Sequence, residues 1–150
     1  RRIQLKSKTS ILNTTADVRS EIVVSISFEI SIDQLVVSPG INIHNENGDH
    51  LFTSHNVEYM INPKPLTKGV YNSEVRIPAN FFAEGMIYFS VALMQYEPFL
   101  VLQNEEKILS LVMIDKVDGF SARGIYAGYF PGLVRPKLEW GTTKCIKNEF

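Results

Sequence analysis

From Glu21 to Ser31 the chain alternates without a break: Ile22, Val24, Ile26, Phe28 and Ile30 fall on one parity, Val23, Ser25, Ser27 and Glu29 on the other. Successive side chains point to opposite sides only in an extended chain, so this period of two predicts a half-buried β-strand. The pattern then recurs. Ile41 and Ile43 alternate with Asn42 and His44, Asn47-Gly48 signals a tight hairpin turn, and Leu51, Phe52 and Thr53 carry the return strand. Val70 to Ile77 sets Tyr71, Ser73, Val75 and Ile77 on one side, and Pro78-Ala79-Asn80 ends it. Met86 to Tyr96 places Ile87, Phe89, Val91 and Leu93 on one face, and Lys107 to Ile114 does the same with Leu109, Leu111 and Met113. Ile3 to Asn13 is expected to add an edge strand in one or two pieces, and Leu133 to Trp140 a last strand. Nothing has the spacing of a long amphipathic helix, although Phe81-Phe82-Ala83 suits a single helical turn. Asp115 to Pro131 reads as loop. Many short strands with turn signals between them predict an all-β, two-sheet β-sandwich.

Composition narrows the function. With 150 residues, 45% of them apolar and 21% charged, the chain suits one globular domain spanning residues 1–150. A net charge of −1 offers no broad positive field for nucleic acid. The lone cysteine, Cys145, cannot form an internal disulfide, so the sandwich must hold by packing, which suits a reducing compartment. No apolar run approaches the roughly 18 residues of a membrane span. The chain opens on Arg1 rather than Met, and is expected to be a domain of a longer protein.

Motifs of catalysis are missing. There is no phosphate-cradling Gly-x-x-x-x-Gly-Lys-Ser/Thr, no Gly-x-Gly-x-x-Gly and no Gly-x-Ser-x-Gly. His44, His50 and His55 surround the Asn47-Gly48 turn and invite a metal reading. A two-residue turn there makes Glu46 face Asp49, so His44 opposes Leu51, His50 opposes Asn45, and the two rings point to opposite faces. His55 shares the face of His44 but lies about 13 Å along, at roughly 3.4 Å per residue. Under that register the histidines do not converge, and no metal is expected. Glu84, Glu97, Glu105, Glu106 and Asp115 sit at turns or strand ends and read as solvated carboxylates rather than a glycosidase pair. Asn13-Thr14-Thr15 matches a glycosylation acceptor, a pattern with meaning only in a secreted chain. No catalytic residue and no cofactor are expected.

The parity that sends Ile41, Ile43, Ile87, Phe89, Val91 and Leu111 inward sends another set outward. Asn42, His44, Thr53 and His55 come from the hairpin; Tyr88, Ser90, Ala92, Met94 and Tyr96 from the long strand; Ser110 and Val112 from the next. Tyrosine can cover the C–H face of a sugar ring and reach its hydroxyl rim, and Asn and His both donate and accept toward hydroxyls. Asn42, His44, Thr53, His55, Tyr88, Ser90 and Tyr96 are therefore the candidate carbohydrate-binding residues. A covered sheet face would have the same parity.

In order along the chain, several pieces resemble one known family. They are the Glu21–Ser31 strand, Gly40-Ile41-Asn42-Ile43 with Asn47-Gly48 and Leu51-Phe52-Thr53-Ser54-His55-Asn56, the strand Gly85-Met86-Ile87-Tyr88-Phe89-Ser90-Val91-Ala92-Leu93, Leu109 to Met113, and a terminal Val134-Arg135-Pro136-Lys137-Leu138-Glu139-Trp140. Together they are similar to the C-terminal domain of the ATP-binding, Wzt-type subunit of O-antigen polysaccharide ABC transporters. Ile87 stands where that family usually has Tyr. The resemblance implies an immunoglobulin-like sandwich, cytoplasmic at the inner-membrane face. It further implies a homodimer that exchanges a terminal strand, here about Leu133 to Trp140. The implied activity is non-catalytic recognition of the non-reducing end of an undecaprenyl-linked glycan, which couples chain completion to export in lipopolysaccharide biosynthesis. The transporter's transmembrane subunit would be a partner through the parent protein, whose nucleotide-binding domain would lie outside this chain. The competing reading is a structural dimerisation domain of the same subunit, with no glycan site of its own.

Overall fold

A computed structural model describes residues 2–6 and 14–145. The strands are β1 (Arg2–Lys6), β2 (Thr15–Asp17), β3 (Ile22–Ile30), β4 (Ser38–Asn45), β5 (His50–His55), β6 (Gly69–Ile77), β7 (Gly85–Tyr96) and β8 (Phe99–Ile114), with one helical turn, α1 (Glu58–Ile61). Two sheets stack: a three-stranded one ordered β1-β3-β6 and a five-stranded one ordered β2-β8-β7-β4-β5. Neighbours pair antiparallel except β2, which runs parallel to the end of β8. The predicted all-β sandwich is the observed fold; the expected early edge strand is present in β1, at the edge of the three-stranded sheet, residues 7–13 of that expected stretch lie outside the described residues, and β2 falls just beyond it.

The period-two pattern fills the space between the sheets. Ile22, Val24, Ile26, Phe28 and Ile30 of β3 meet Ile41 and Ile43 of β4, Ile87, Phe89 and Val91 of β7, and Leu111 and Met113 of β8. Burial of this apolar surface is the main stabilising term. Phe81 and Phe82 close one end against Phe52, with Phe52–Phe81 ring centroids 5.3 Å apart. They do so in extended chain, not in the expected helical turn: Phe82 makes an isolated bridge to Val134, and the Arg135 amide donates to the Phe81 carbonyl at 2.8 Å. A backbone bridge to a neighbouring segment needs an extended chain, whereas the groups of a helical turn bond within the turn itself.

Two boundaries differ from expectation. β8 begins at Phe99 rather than Lys107. The alternation breaks at Glu105-Glu106-Lys107 because β8 carries extra residues there, between the pairs Phe89–Leu109 and Val91–Glu105; Lys107 takes a positive φ of 47°. Such a bulge interrupts the pattern without ending the strand. The expected last strand, Leu133 to Trp140, forms no strand among the described residues beyond the Val134 bridge, and Trp140 is 90% exposed. The stretch from Asp115 to Pro131 is loop, as expected.

Candidate functional site

The site begins with the β4–β5 turn. The Asn45 amide donates to the Asp49 carbonyl at 3.0 Å, and Gly48 adopts φ 83°. The Asn45 side-chain oxygen accepts from the amides of Asn47 (3.0 Å) and Asp49 (2.8 Å). The loop is thus three residues, Glu46 to Gly48, with a left-handed glycine, in place of the two-residue turn expected from Asn-Gly. Pairing shifts by one at this end. Gly40–His55, Ile41–Ser54, Asn42–Thr53 and Ile43–Phe52 keep the expected register, but a bulge then sets His44 opposite His50. This overturns the expectation that the two rings point apart: they stack, with centroids 4.8 Å apart and planes 23° from parallel.

Around this pair the outer face of the five-stranded sheet organises itself. The Thr53 hydroxyl donates to Asn42 Oδ1 at 2.5 Å. With that proton committed, His50 Nε2 is the donor in its 2.9 Å contact with Thr53 Oγ1. His44 pairs across β7 with Tyr88, and Asn42 with Ser90. The Lys107 ammonium lies 5.6 Å from the centre of the Tyr88 ring, within cation–π range. The Lys107 amide donates to Ser90 Oγ at 2.9 Å, and Ser90 is only 5% exposed. Ser90 therefore holds the bulge in place at the bottom of the face. His44 Nδ1 is buried with no hydrogen-bond partner among the described residues.

The remaining expected residues lie at the other end. The row Ser38–Met94 is six residues along β7 from the row His44–Tyr88, about 20 Å at ~3.4 Å per residue. There the Tyr96 hydroxyl meets His55 Nδ1 at 2.6 Å, with their rings edge to face at 5.3 Å. Burial pushes the Tyr96 phenol above its ordinary range, so it keeps its proton at neutral pH. Beside it opens a cavity of about 580 Å³ lined by Ser38, Tyr59, Met60, Met94 and Tyr96. The sequence set is thus split. Asn42, His44, Thr53 and Tyr88 form one group, His55 and Tyr96 another, and Ser90, with Gly40 and Ala92, forms a buried small-residue floor between them.

Sequence reasoning missed His50 and Lys107. Both were legible in part: Asn45-x-x-Gly48-Asp49 suits a loop built on an asparagine side chain, and Glu105-Glu106-Lys107 marks a break in the alternation of a continuing strand. It also misread one carboxylate, Asp115, as solvated. The Asp115 side chain is 0% exposed and bonds Ser121, Arg123 (3.2 Å) and Arg135 (2.6 Å). Arg135, 2% exposed at its side chain, also grips Glu84, donates to the Phe130 carbonyl at 2.6 Å and lies 4.6 Å from the centre of the Phe130 ring. Burial pushes the Asp115 carboxyl up, but hydrogen bonds from Ser121 and Arg135 and the charges of Arg135 and Arg123 outweigh it, and the net shift is downward. This cluster clasps the 115–135 loop to the sandwich. Among the described residues no three His, Cys, Asp or Glu side chains stand where they could hold a metal ion, and no helix is long and apolar enough to cross a membrane.

Fold and face together define a two-sheet β-sandwich with a polar–aromatic outer sheet surface. Among solved structures, the crystal structure of the C-terminal domain of Wzt is similar to it. The TM-score is 0.70 at 13% sequence identity, over 94% of this chain and 81% of that one. At such low identity the likeness carries the fold. No protein-family profile matches the chain, and no curated protein matches it in sequence.

Proposed function

We propose that this chain is a non-catalytic glycan-binding domain that reads a polysaccharide on the outer face of its five-stranded sheet. The observation that carries this reading is the cluster of Asn42, Thr53, His44, His50 and Tyr88. Planar polar groups and an aromatic ring sit together on a face otherwise floored by small residues. Planar amide and imidazole groups suit the directional hydroxyls of a sugar, and a tyrosine supplies apolar contact. The sequence resemblance and the fold shared with the Wzt C-terminal domain support a place in polysaccharide export. On this reading the domain belongs to the ATP-binding subunit of an ABC transporter at the cytoplasmic face of the inner membrane. It binds the non-reducing end of an O-antigen chain and couples completion to export.

A second reading, a dimerisation domain without its own glycan site, is favoured by the terminal segment. Leu138 and Trp140 are both exposed there and have no strand partner among the described residues. An apolar segment of this kind suits a second copy, and a homodimer is compatible with either reading.

The discriminating experiment is an NMR titration of the chain with the surface polysaccharide of its source organism, repeated with the Asn42→Ala variant. Saturable shifts centred on Asn42, His44, His50 and Tyr88, weakened at least several-fold in the variant, are expected. Absence of any shift with intact polysaccharide defeats the glycan reading and leaves the dimerisation domain.

A further inference from the structure

We infer that Lys107, carried onto the outer face by the bulge in β8, is a specificity-determining residue that selects a glycan bearing an anionic substituent, a carboxylate or a phosphate, at the Tyr88 end of the face. This inference rests on the glycan-binding reading above and names the chemistry of the ligand that reading leaves open.

The argument starts from the backbone. Lys107 has φ 47°, in the left-handed region where glycine or asparagine is the less strained choice. The fold nevertheless places a lysine there and fastens it: its amide donates to the buried Ser90 hydroxyl at 2.9 Å, and the strand resumes regular pairing on both sides. Strained bulges of this sort re-aim a side chain. The side chain re-aimed here reaches over Tyr88, at 5.6 Å from its ring centre.

The ammonium is not neutralised in place. Among the described residues it makes no salt bridge, whereas Lys68 and Lys116 each reach an aspartate at 4.0 Å. Acidic groups on the same strand and at the β4–β5 turn have other partners, Glu105 accepting from Gln103 Nε2 at 2.6 Å. The preceding residue, Glu106, accepts from Asn104 Nδ2 at 3.4 Å, and Asp49, at the β4–β5 turn, accepts from Asn45 Nδ2 at 2.8 Å. On the other side of Tyr88 stands His44, stacked on His50, and neither ring brings a negative charge.

The ligand chemistry follows. An ammonium 5.6 Å from the ring centre borders the surface on which a sugar would stack, so a ligand that meets Tyr88 meets this charge as well. A compact point charge with three N–H donors is best matched by an anionic oxygen, and charge-assisted hydrogen bonds of that kind are the strong ones. Because the group is solvent-exposed, its contribution must fall with ionic strength.

The test uses the same polysaccharide in three forms: untreated, after chemical reduction of its carboxyl groups, and after removal of its phosphates with hydrofluoric acid. Each is titrated against the unmodified chain, Lys107→Met and Lys107→Arg at low salt, with amide spectra confirming that the variants fold. The expected result is about a tenfold loss of affinity for one of the two treated forms, the effect of one charge-assisted hydrogen bond. Which treatment does it identifies carboxylate or phosphate. Lys107→Met should bind the untreated form as weakly as the unmodified chain binds the treated one and should lose the discrimination, while Lys107→Arg keeps it. If the unmodified chain binds all three forms equally, or Lys107→Met discriminates as well as the unmodified chain, the inference is wrong and the glycan-binding reading stands. If no form binds, both are wrong.

Discussion

Replacing Arg135 by methionine should destabilise the domain by about 3 kcal/mol, since removing one partner of a buried ion pair costs roughly 3–5 kcal/mol. The lower end applies because Asp115, 0% exposed at its side chain, keeps Ser121 and the Arg123 guanidinium at 3.2 Å. Methionine fills much of the arginine's volume, so the loss measures charge and hydrogen bonding more than packing. Urea unfolding should show the midpoint falling at unchanged slope, and calorimetry a drop of about 6–12 °C, at roughly 2–4 °C per kcal/mol for a domain of this size. The effect should also depend on pH. The Asp115 carboxyl is held below its ordinary 3.8 in the folded chain. Its ionisation therefore adds stability that is present above pH 3.8 and lost as pH falls through the lower folded value. Without Arg135 the upward push of burial is less opposed, so the gap between the two proteins should narrow on acidification below about pH 4. The Arg135→Met, Asp115→Ala double variant should be destabilised by less than the sum of the two single changes, because the stranded charge is gone. A midpoint within ~0.5 kcal/mol of the unmodified protein at neutral pH, the range of an ordinary surface substitution, would refute the claim that this cluster clasps the loop.

Two further outcomes test the fold. Phe89→Ala should cost about 3–5 kcal/mol in urea unfolding, since Phe89 is fully buried at the centre of the sandwich and truncation leaves a cavity; a smaller value would mean the sheets close over the gap. Gly40→Val should cost about 1–3 kcal/mol by overpacking, because even a Cβ at Gly40 would lie 2.7 Å from Met94 Cε, 3.2 Å from the Ser54 carbonyl and 3.3 Å from His55 Cβ. The shift of His55 and Tyr96 resonances should report it, and unchanged spectra would show that the floor has room to spare.

The strands and their inward faces were written in the sequence because both depend on local parity. Ile22 to Ile30, Ile41 with Ile43, and Ile87 to Val91 alternate, and an extended chain turns that alternation into one buried and one outer face. The outer face was legible for the same reason, so Asn42, Thr53, His44 and Tyr88 were found as neighbours. What parity cannot carry is an inserted residue. The asparagine-built loop at Asn45 and the bulge beside it turned His50 round to stack on His44, and the bulge at Lys107 extended β8 and swung an ammonium over Tyr88. Each depends on hydrogen bonds chosen after the strands pair. The ionic clasp was less visible still. Glu84, Asp115, Arg123 and Arg135 are scattered over more than fifty positions in three separate segments, and no local pattern links a turn, a loop and an expected terminal strand. Only the closure of the loop onto the sandwich removes water from Asp115, Arg123 and Arg135, and it is that desolvation which makes their pairing both necessary and strong.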